Sequence, residues 1–291
     1  MDSSVIAGLL ALGAALLIAV GDVFQQHSAH TVTDDQVGHL SLLMRLLRDR
    51  QWWLGSVLAA GGFGLQAAAL GFGSVVLVQA LMVSSMLFAL PLSARYAGRR
   101  ITAAQGLWAV ALTVAIAVIV IVGDPTQGQA RGGIQIWVWV VAILGPLLLV
   151  CLAGARLRPG SPVAAVLLGL VSGSLWGVFA VLTKGVVDEL GRGIWAVLSM
   201  PEIYAWAAIA LMATAIQQSA FRAGSMAASL PAVAISEPLV ASILGIAVLG
   251  ETLHPGEAGW GALCAAVVVM IAATVALARD QGSDADTTAP Q

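Results

Sequence analysis

Long apolar runs, separated by short polar or glycine-bearing breaks, pattern the chain from end to end. A helix needs about 20 apolar residues to cross the hydrocarbon core of a bilayer. That ruler marks nine spans, at roughly 5–27, 52–71, 74–96, 102–123, 134–154, 161–184, 203–222, 225–249 and 257–278. Two breaks are tight, Gly71-Phe72-Gly73 and Arg222-Ala223-Gly224, where glycine lets the chain reverse between antiparallel helices. The one long internal connection is about 28–51, and residues 279–291 read as a polar, disordered cytoplasmic tail. Within the connection, Leu40 to Arg50 is either a basic amphipathic helix lying on the membrane surface or a charged loop with an apolar anchor.

Composition removes the alternative of soluble domains. Of 291 residues, 59% are hydrophobic and only 10% are charged, against about 25% charged in an average globular chain. A water-facing surface cannot be built from that remainder, so the predicted fold is all-α, a polytopic membrane helix bundle with lipid as its solvent and partner. The net charge of −2 gives no reason to expect nucleic acid. Cys151 and Cys264 both fall in apolar runs and suggest helix packing rather than a disulfide or metal framework. The first run lacks a positive leader and is too long for a removable signal peptide.

Basic residues orient the spans, because cytoplasmic loops hold the excess of Lys and Arg. With the N-terminus outside, ten fall on the cytoplasmic side (Arg45, Arg48, Arg50, Arg95, Arg99, Arg100, Arg156, Arg158, Arg222 and Arg279). Three fall outside, at Arg131, Lys184 and Arg192. The predicted topology is N-out, C-in. Trp52, Trp53 and Trp108 at inner ends, and Trp137, Trp139, Trp206 and Trp260 at outer ends, fit interfacial belts.

The chain also matches itself. Residues 63–122 resemble 214–274: Gln66 meets Gln217, Ala69 meets Ala220 and Ser85 meets Ser236 at an offset of 151, and Gly98 meets Gly250 at 152. Two four-helix repeats follow, 1–123 and 161–278, joined by a linker helix at 134–154. The odd linker sets the repeats in opposite senses across the membrane, an arrangement that places a binding site near the midplane and allows alternating access.

A family resemblance rests on particular segments. They are Gly-Asp-Val-Phe-Gln-Gln at 21–26, Phe-Gly-Leu-Gln-Ala-Ala-Ala-Leu at 63–70, Val-Gln-Ala-Leu-Met-Val at 78–83, Phe-Ala-Leu-Pro-Leu-Ser-Ala at 88–94, Leu-Pro-Ala-Val-Ala-Ile-Ser-Glu-Pro-Leu-Val at 230–240 and Leu-Gly-Glu-Thr-Leu at 249–253. Together they resemble the drug/metabolite transporter superfamily, with its EamA-like fold, over nearly the whole chain. The nine-span, N-out plan is similar to the NIPA-like branch and departs from the commoner ten-helix plan. The resemblance implies a secondary transporter in a bacterial cytoplasmic membrane, with a divalent cation such as magnesium as preferred cargo. A proton-coupled exporter of a small organic molecule is the alternative, and a non-transporting membrane assembly protein is a reading of another class. A homodimer is compatible with any of these.

Candidate transport residues are the polar groups inside the spans, because ionisable groups there are costly and point to function. Asp22 and Glu237 are the two acidic residues in the expected hydrocarbon zone and the candidate metal ligands. Glu237 is flanked by Ser236 and by Pro231 and Pro238, which remove backbone donors and are expected to kink the helix. Asp22, Gln25 and Gln26 share one helix face, either a cation path or an ordinary interfacial helix end. Gln66, Gln217 and Ser85 either line the path or join helices by hydrogen bonds. Lys184 and Trp176 are gate candidates: Lys184 gates an outer vestibule or snorkels, and Trp176 stacks on an organic cargo or packs. His27, His30, Asp34, Asp35 and His39 match no metal spacing and read as a solvated loop. No Walker A loop and no catalytic motif occurs, so neither direct ATP coupling nor enzyme chemistry nor a cofactor is expected.

Overall fold

The computed structural model describes residues 2–32, 50–96, 98, 100–223 and 226–288. They form eleven helices: α1 (Ser3–Val32), α2 (Arg50–Phe72), α3 (Val75–Met82), α4 (Ser85–Tyr96), α5 (Ala103–Ile121), α6 (Ile134–Leu157), α7 (Pro162–Leu190), α8 (Ile194–Ser199), α9 (Pro201–Ala223), α10 (Met226–Leu249) and α11 (Gly256–Thr288). Among the described residues the one β feature is an isolated bridge between Thr126 and Thr252. Eight segments are long and apolar enough to cross a membrane, with α3 and α4 counted as one. The protein is a multi-pass membrane protein. The possible surface helix at 40–50 and the cluster from Asp34 to His39 lie outside the described residues, as do the side chains of Gln25, Gln26, His27 and His30.

Small residues decide which helices touch. In α7, Gly169, Gly173 and Gly177 recur every fourth residue and face α10, where a Cβ on each would come within 2.9, 2.6 and 2.8 Å of the carbonyls of Ser229, Val233 and Glu237. Both sets rise together along the sequence, so α7 and α10 run parallel, with backbones close enough for dispersion and Cα–H···O contacts to hold them. In α1 the buried Ala7, Ala11, Ala15 and Ala19 form a similar stripe along a helix that packs chiefly on α2.

Between the parallel pair, the chain returns through α9. It lies antiparallel to α7, with Trp206 bonded to Thr183 near one end and Ala213 to Ser172 farther down. Glu202, Gln217, Gln218 and Arg222 make α9 less apolar than its neighbours α7 and α10, yet its 23 residues are enough to cross the hydrocarbon core. Helix α6 lies at the periphery against α7, with Ala155 its one buried residue.

Two boundaries differ from the hydropathy reading. The third span is broken at Val83-Ser84, where the Ser84 hydroxyl donates to the Leu81 carbonyl at 2.6 Å. By contrast α10 continues as helix through Pro231 and Pro238. Residues 279–288 of the expected disordered tail continue α11.

Close packing at Gly173 leaves no room for a methyl group, whereas a Cβ at Gly64 meets nothing within 4 Å. Gly173→Ala is expected to cost about 1–3 kcal/mol through overpacking. Gly64→Ala is expected to be neutral or to gain up to about 1 kcal/mol from helix propensity. Thermal unfolding in detergent ranks the two variants.

Candidate functional site

At one end of the bundle, three chain reversals meet around a buried carboxylate. Helix α3 opens with Ser74 in extended conformation, its Oγ accepting the Leu77 N–H at 3.1 Å. The N–H groups of Val75 and Val76 donate instead to Glu251, at 2.6 Å to Oε1 and 3.0 Å to Oε2. Lys184 Nζ donates to Glu251 Oε1 at 2.8 Å and to the Gly73 carbonyl at 3.0 Å. The two side chains are 5% and 0% exposed. A buried anion on a helix N-terminus gains from the orphan N–H groups and the positive end of the dipole, and the ammonium neutralises it.

Glycine places the carboxylate. Gly250, with φ +68°, closes α10 in the left-handed region and turns the chain back toward the bundle. A Cβ on Gly245 would stand 2.8 Å from Glu251 Oε2, so glycine leaves the space that the carboxylate fills. Neighbouring loops brace the turn: Thr126 N–H donates to the Thr252 carbonyl at 2.9 Å and His254 N–H to the Gly123 carbonyl at 2.8 Å, while the Gln127 amide donates to Phe72. Arg131 and Arg192 both pair with Glu189, at 2.6 and 3.2 Å. Arg131, Lys184 and Arg192 at this end are therefore all ion-paired. Arg95, Arg100, Arg156, Arg158 and Arg222, at the opposite end, are exposed.

Deeper along α7, a half-open cavity of about 360 Å³ lies between α2, α7 and α9. Its walls include Phe63, Gly64 and Gln66 from α2, Trp176, Phe179 and Thr183 from α7, and Trp206 from α9. The rings form a ladder: Phe63 stacks on Trp176 at 6.3 Å between centroids, Trp176 meets Phe179 edge-on at 5.2 Å, and Phe179 stacks on Trp206 at 5.0 Å. The Trp176 indole N–H donates to Gln217 Oε1 at 2.9 Å, and that of Trp206 to Thr183 Oγ1 at 2.9 Å. Gln66 is 8% exposed and has no hydrogen-bond partner among the described residues.

Of the residues singled out from sequence, Gln66, Trp176 and Gln217 come together here. Asp22 and Glu237 are not in these walls: Asp22 is exposed near the end of the apolar part of α1, and Glu237 is half-buried on α10. Ser236 spends its hydroxyl on its own helix, donating to Ala232 at 2.7 Å. Ser85 sits at the start of α4, beside the break. Lys184 neither snorkels nor stands free, because Glu251 holds it. Glu251 escaped notice because the hydropathy ruler ended the span at residue 249, and Trp206, expected in the interfacial belt, turns inward.

No family profile and no solved structure matches the chain. A protein of Corynebacterium glutamicum described as uncharacterized is 38% identical over 284 residues, covering 96% of each chain. The chain belongs to the family of that protein. Since the likeness runs nearly end to end, the family extends over the whole bundle.

Removing one partner of a buried pair leaves an uncompensated charge. Lys184→Met is expected to cost about 3–5 kcal/mol. The double variant Lys184→Met/Glu251→Met is expected to lose less than the two singles together, by a coupling of about 0.5–3 kcal/mol. Unfolding midpoints of the four proteins measure it, and simple additivity would contradict the pair.

Proposed function

We propose that the protein is a secondary transporter of the drug/metabolite transporter type, working by alternating access in a bacterial cytoplasmic membrane. The observation that carries this reading is a cavity walled by both halves of the chain, below a charged latch that also joins them. Nine spans are supported by the parallel run of α7 and α10, which requires α9 to bring the chain back across the same slab. An inverted repeat is supported by Gly98 and Gly250, which both take positive φ, +63° and +68°, after α4 and α10. N-out, C-in is supported by charge: the Glu251 end carries Arg131, Lys184 and Arg192, each in contact with Glu189 or Glu251, whereas the exposed arginines gather at the opposite end.

The break at Val83-Ser84 adds a mechanical argument. Discontinuous helices in transporters expose polar helix ends within the membrane and let one part rock against the other. Here the short helix α3 is fastened by Glu251, so releasing that carboxylate frees the half-helix and opens the end of the bundle above the cavity. Glu237, half-buried where α10 meets α7 and without an ion pair among the described residues, is the candidate carrier of a coupling proton.

Cavity chemistry favours an organic cargo over magnesium. Hard cations take oxygen ligands, and among the described residues no three His, Cys, Asp or Glu side chains gather to hold one. The walls offer one free amide among aromatic rings instead.

Gly64→Cys, in a background lacking Cys151 and Cys264, tests the mechanism without knowing the cargo. A membrane-impermeant thiol reagent is expected to reach the cysteine from both faces of sealed vesicles, and faster from the outer face once Lys184→Met loosens the latch. Labelling from one face only, unchanged by that variant, contradicts alternating access. Magnesium entry into liposomes holding a trapped indicator, if abolished by Glu237→Gln, would restore the cation cargo.

A further inference from the structure

We propose that the cavity between α2, α7 and α9 binds an uncharged, planar organic molecule, held face-on by the aromatic ladder and edge-on by the Gln66 amide. The proposal deepens the transporter reading and rests on it only for calling this ligand a cargo.

Three features of the walls define the ligand. The first is shape. Aromatic side chains offer flat faces that prefer offset-stacked or edge-on partners. Phe63, Trp176, Phe179 and Trp206 follow one another at 5.0–6.3 Å along one side of a space of about 360 Å³. That volume lies in the range of small-molecule sites. Next to Phe63 on α2, Gly64 leaves open space in the wall, where an added Cβ would meet nothing within 4 Å.

The second feature is hydrogen bonding. The rings are locked because both indole N–H groups are already spent, on Gln217 Oε1 and on Thr183 Oγ1. The Thr183 hydroxyl in turn donates to the Phe179 carbonyl at 2.7 Å. What remains is Gln66, more than nine-tenths buried, with two donors and an acceptor unused. Buried polar groups normally find partners, so an idle amide lining a cavity points to a ligand that supplies them. A carboxamide presents donor and acceptor side by side. Its complement is a molecular edge carrying an acceptor next to a donor.

Charge is the third. No Asp, Glu, Lys, Arg or His lines the cavity, and the nearest basic group along α7, Lys184, is neutralised by Glu251. An unpaired charge in such surroundings is expensive. The strongest rival is a monocation resting on the ring faces, where cation–π attraction offsets part of that cost.

Equilibrium dialysis against the protein in lipid nanodiscs, with empty nanodiscs as blank, separates these ligands. The probes are 7-azaindole, whose neutral bicycle carries a ring nitrogen acceptor beside an N–H donor, the cation tryptamine and the anion indole-3-acetate. 7-Azaindole is expected to bind at least tenfold more tightly than either charged probe. Gln66→Leu is expected to weaken it about tenfold, the worth of roughly one net hydrogen bond. Gly64→Phe, which fills the cavity where a side chain meets no neighbour, is expected to abolish binding with the unfolding midpoint kept. Equal or tighter binding of tryptamine, or 7-azaindole binding that neither variant weakens, overturns the proposal. If Gly64→Cys is reached from both faces but 7-azaindole does not bind, this ligand class is wrong and transport stands. If 7-azaindole binds as expected but only one face is reached, the site stands and the transporter reading falls.

Discussion

A carboxylate buried in the membrane-spanning body must be neutralised, and the architecture around Glu251 follows from that constraint. Its two oxygens are divided between the first two N–H groups of α3 and the ammonium of Lys184. Those partners come from separate parts of the chain: α3 and Gly73 belong to the first half, Lys184 and Glu251 to the second. Removing water from the site makes each interaction stronger and each missing partner costlier. The two halves are therefore tied at one end by an ion pair under a helix terminus, set beside the apolar core that they share. Packed interiors that switch do so between discrete arrangements, and a shared ion pair under a helix terminus is suited to such a switch.

The rest of the bundle divides into stiff and interruptible parts. Glycines at every fourth residue of α7 bring it against α10 backbone to backbone, leaving no slack at Gly173. The first half has its break at Val83-Ser84, so α3 and α4 are two short helices where the second half has the single helix α10. A half-helix capped by a side chain from the other half is held only while that cap persists. The aromatic cavity also borders α7, so one central helix carries the glycine stripe, the latch lysine and two of the four cavity rings, Trp176 and Phe179.

Much of this was legible in the sequence, for definite reasons. Hydropathy located the long helices because lipid admits few charges over about 20 residues. Gln66, Gln217 and Trp176 stood out as polar or amphipathic groups deep in apolar runs. Their companions Phe63 and Phe179 did not, because an aromatic in a lipid-solvated helix says nothing about which helix it faces. Pro231 and Pro238 were expected to kink α10, which stays helical through both, while the interruption at Val83-Ser84 carries neither proline nor glycine to announce it. Glu251 was hidden by a one-residue turn: Gly250 folds the chain back, so a residue just beyond an apolar run ends 1% exposed.

Pulsed electron spin resonance on two label pairs, in protein lacking Cys151 and Cys264, measures the coupling of latch to bundle most directly. One pair, Phe72→Cys with Trp195→Cys, reports the Glu251 end; the other, Arg95→Cys with Arg222→Cys, reports the opposite end, and all four positions are exposed. With Lys184→Met, the first distance is expected to lengthen while the second shortens, as two halves rocking about a central site require. Distances that stay fixed at both ends, or that change in the same sense, would contradict the latch as the element that sets which face of the protein is closed.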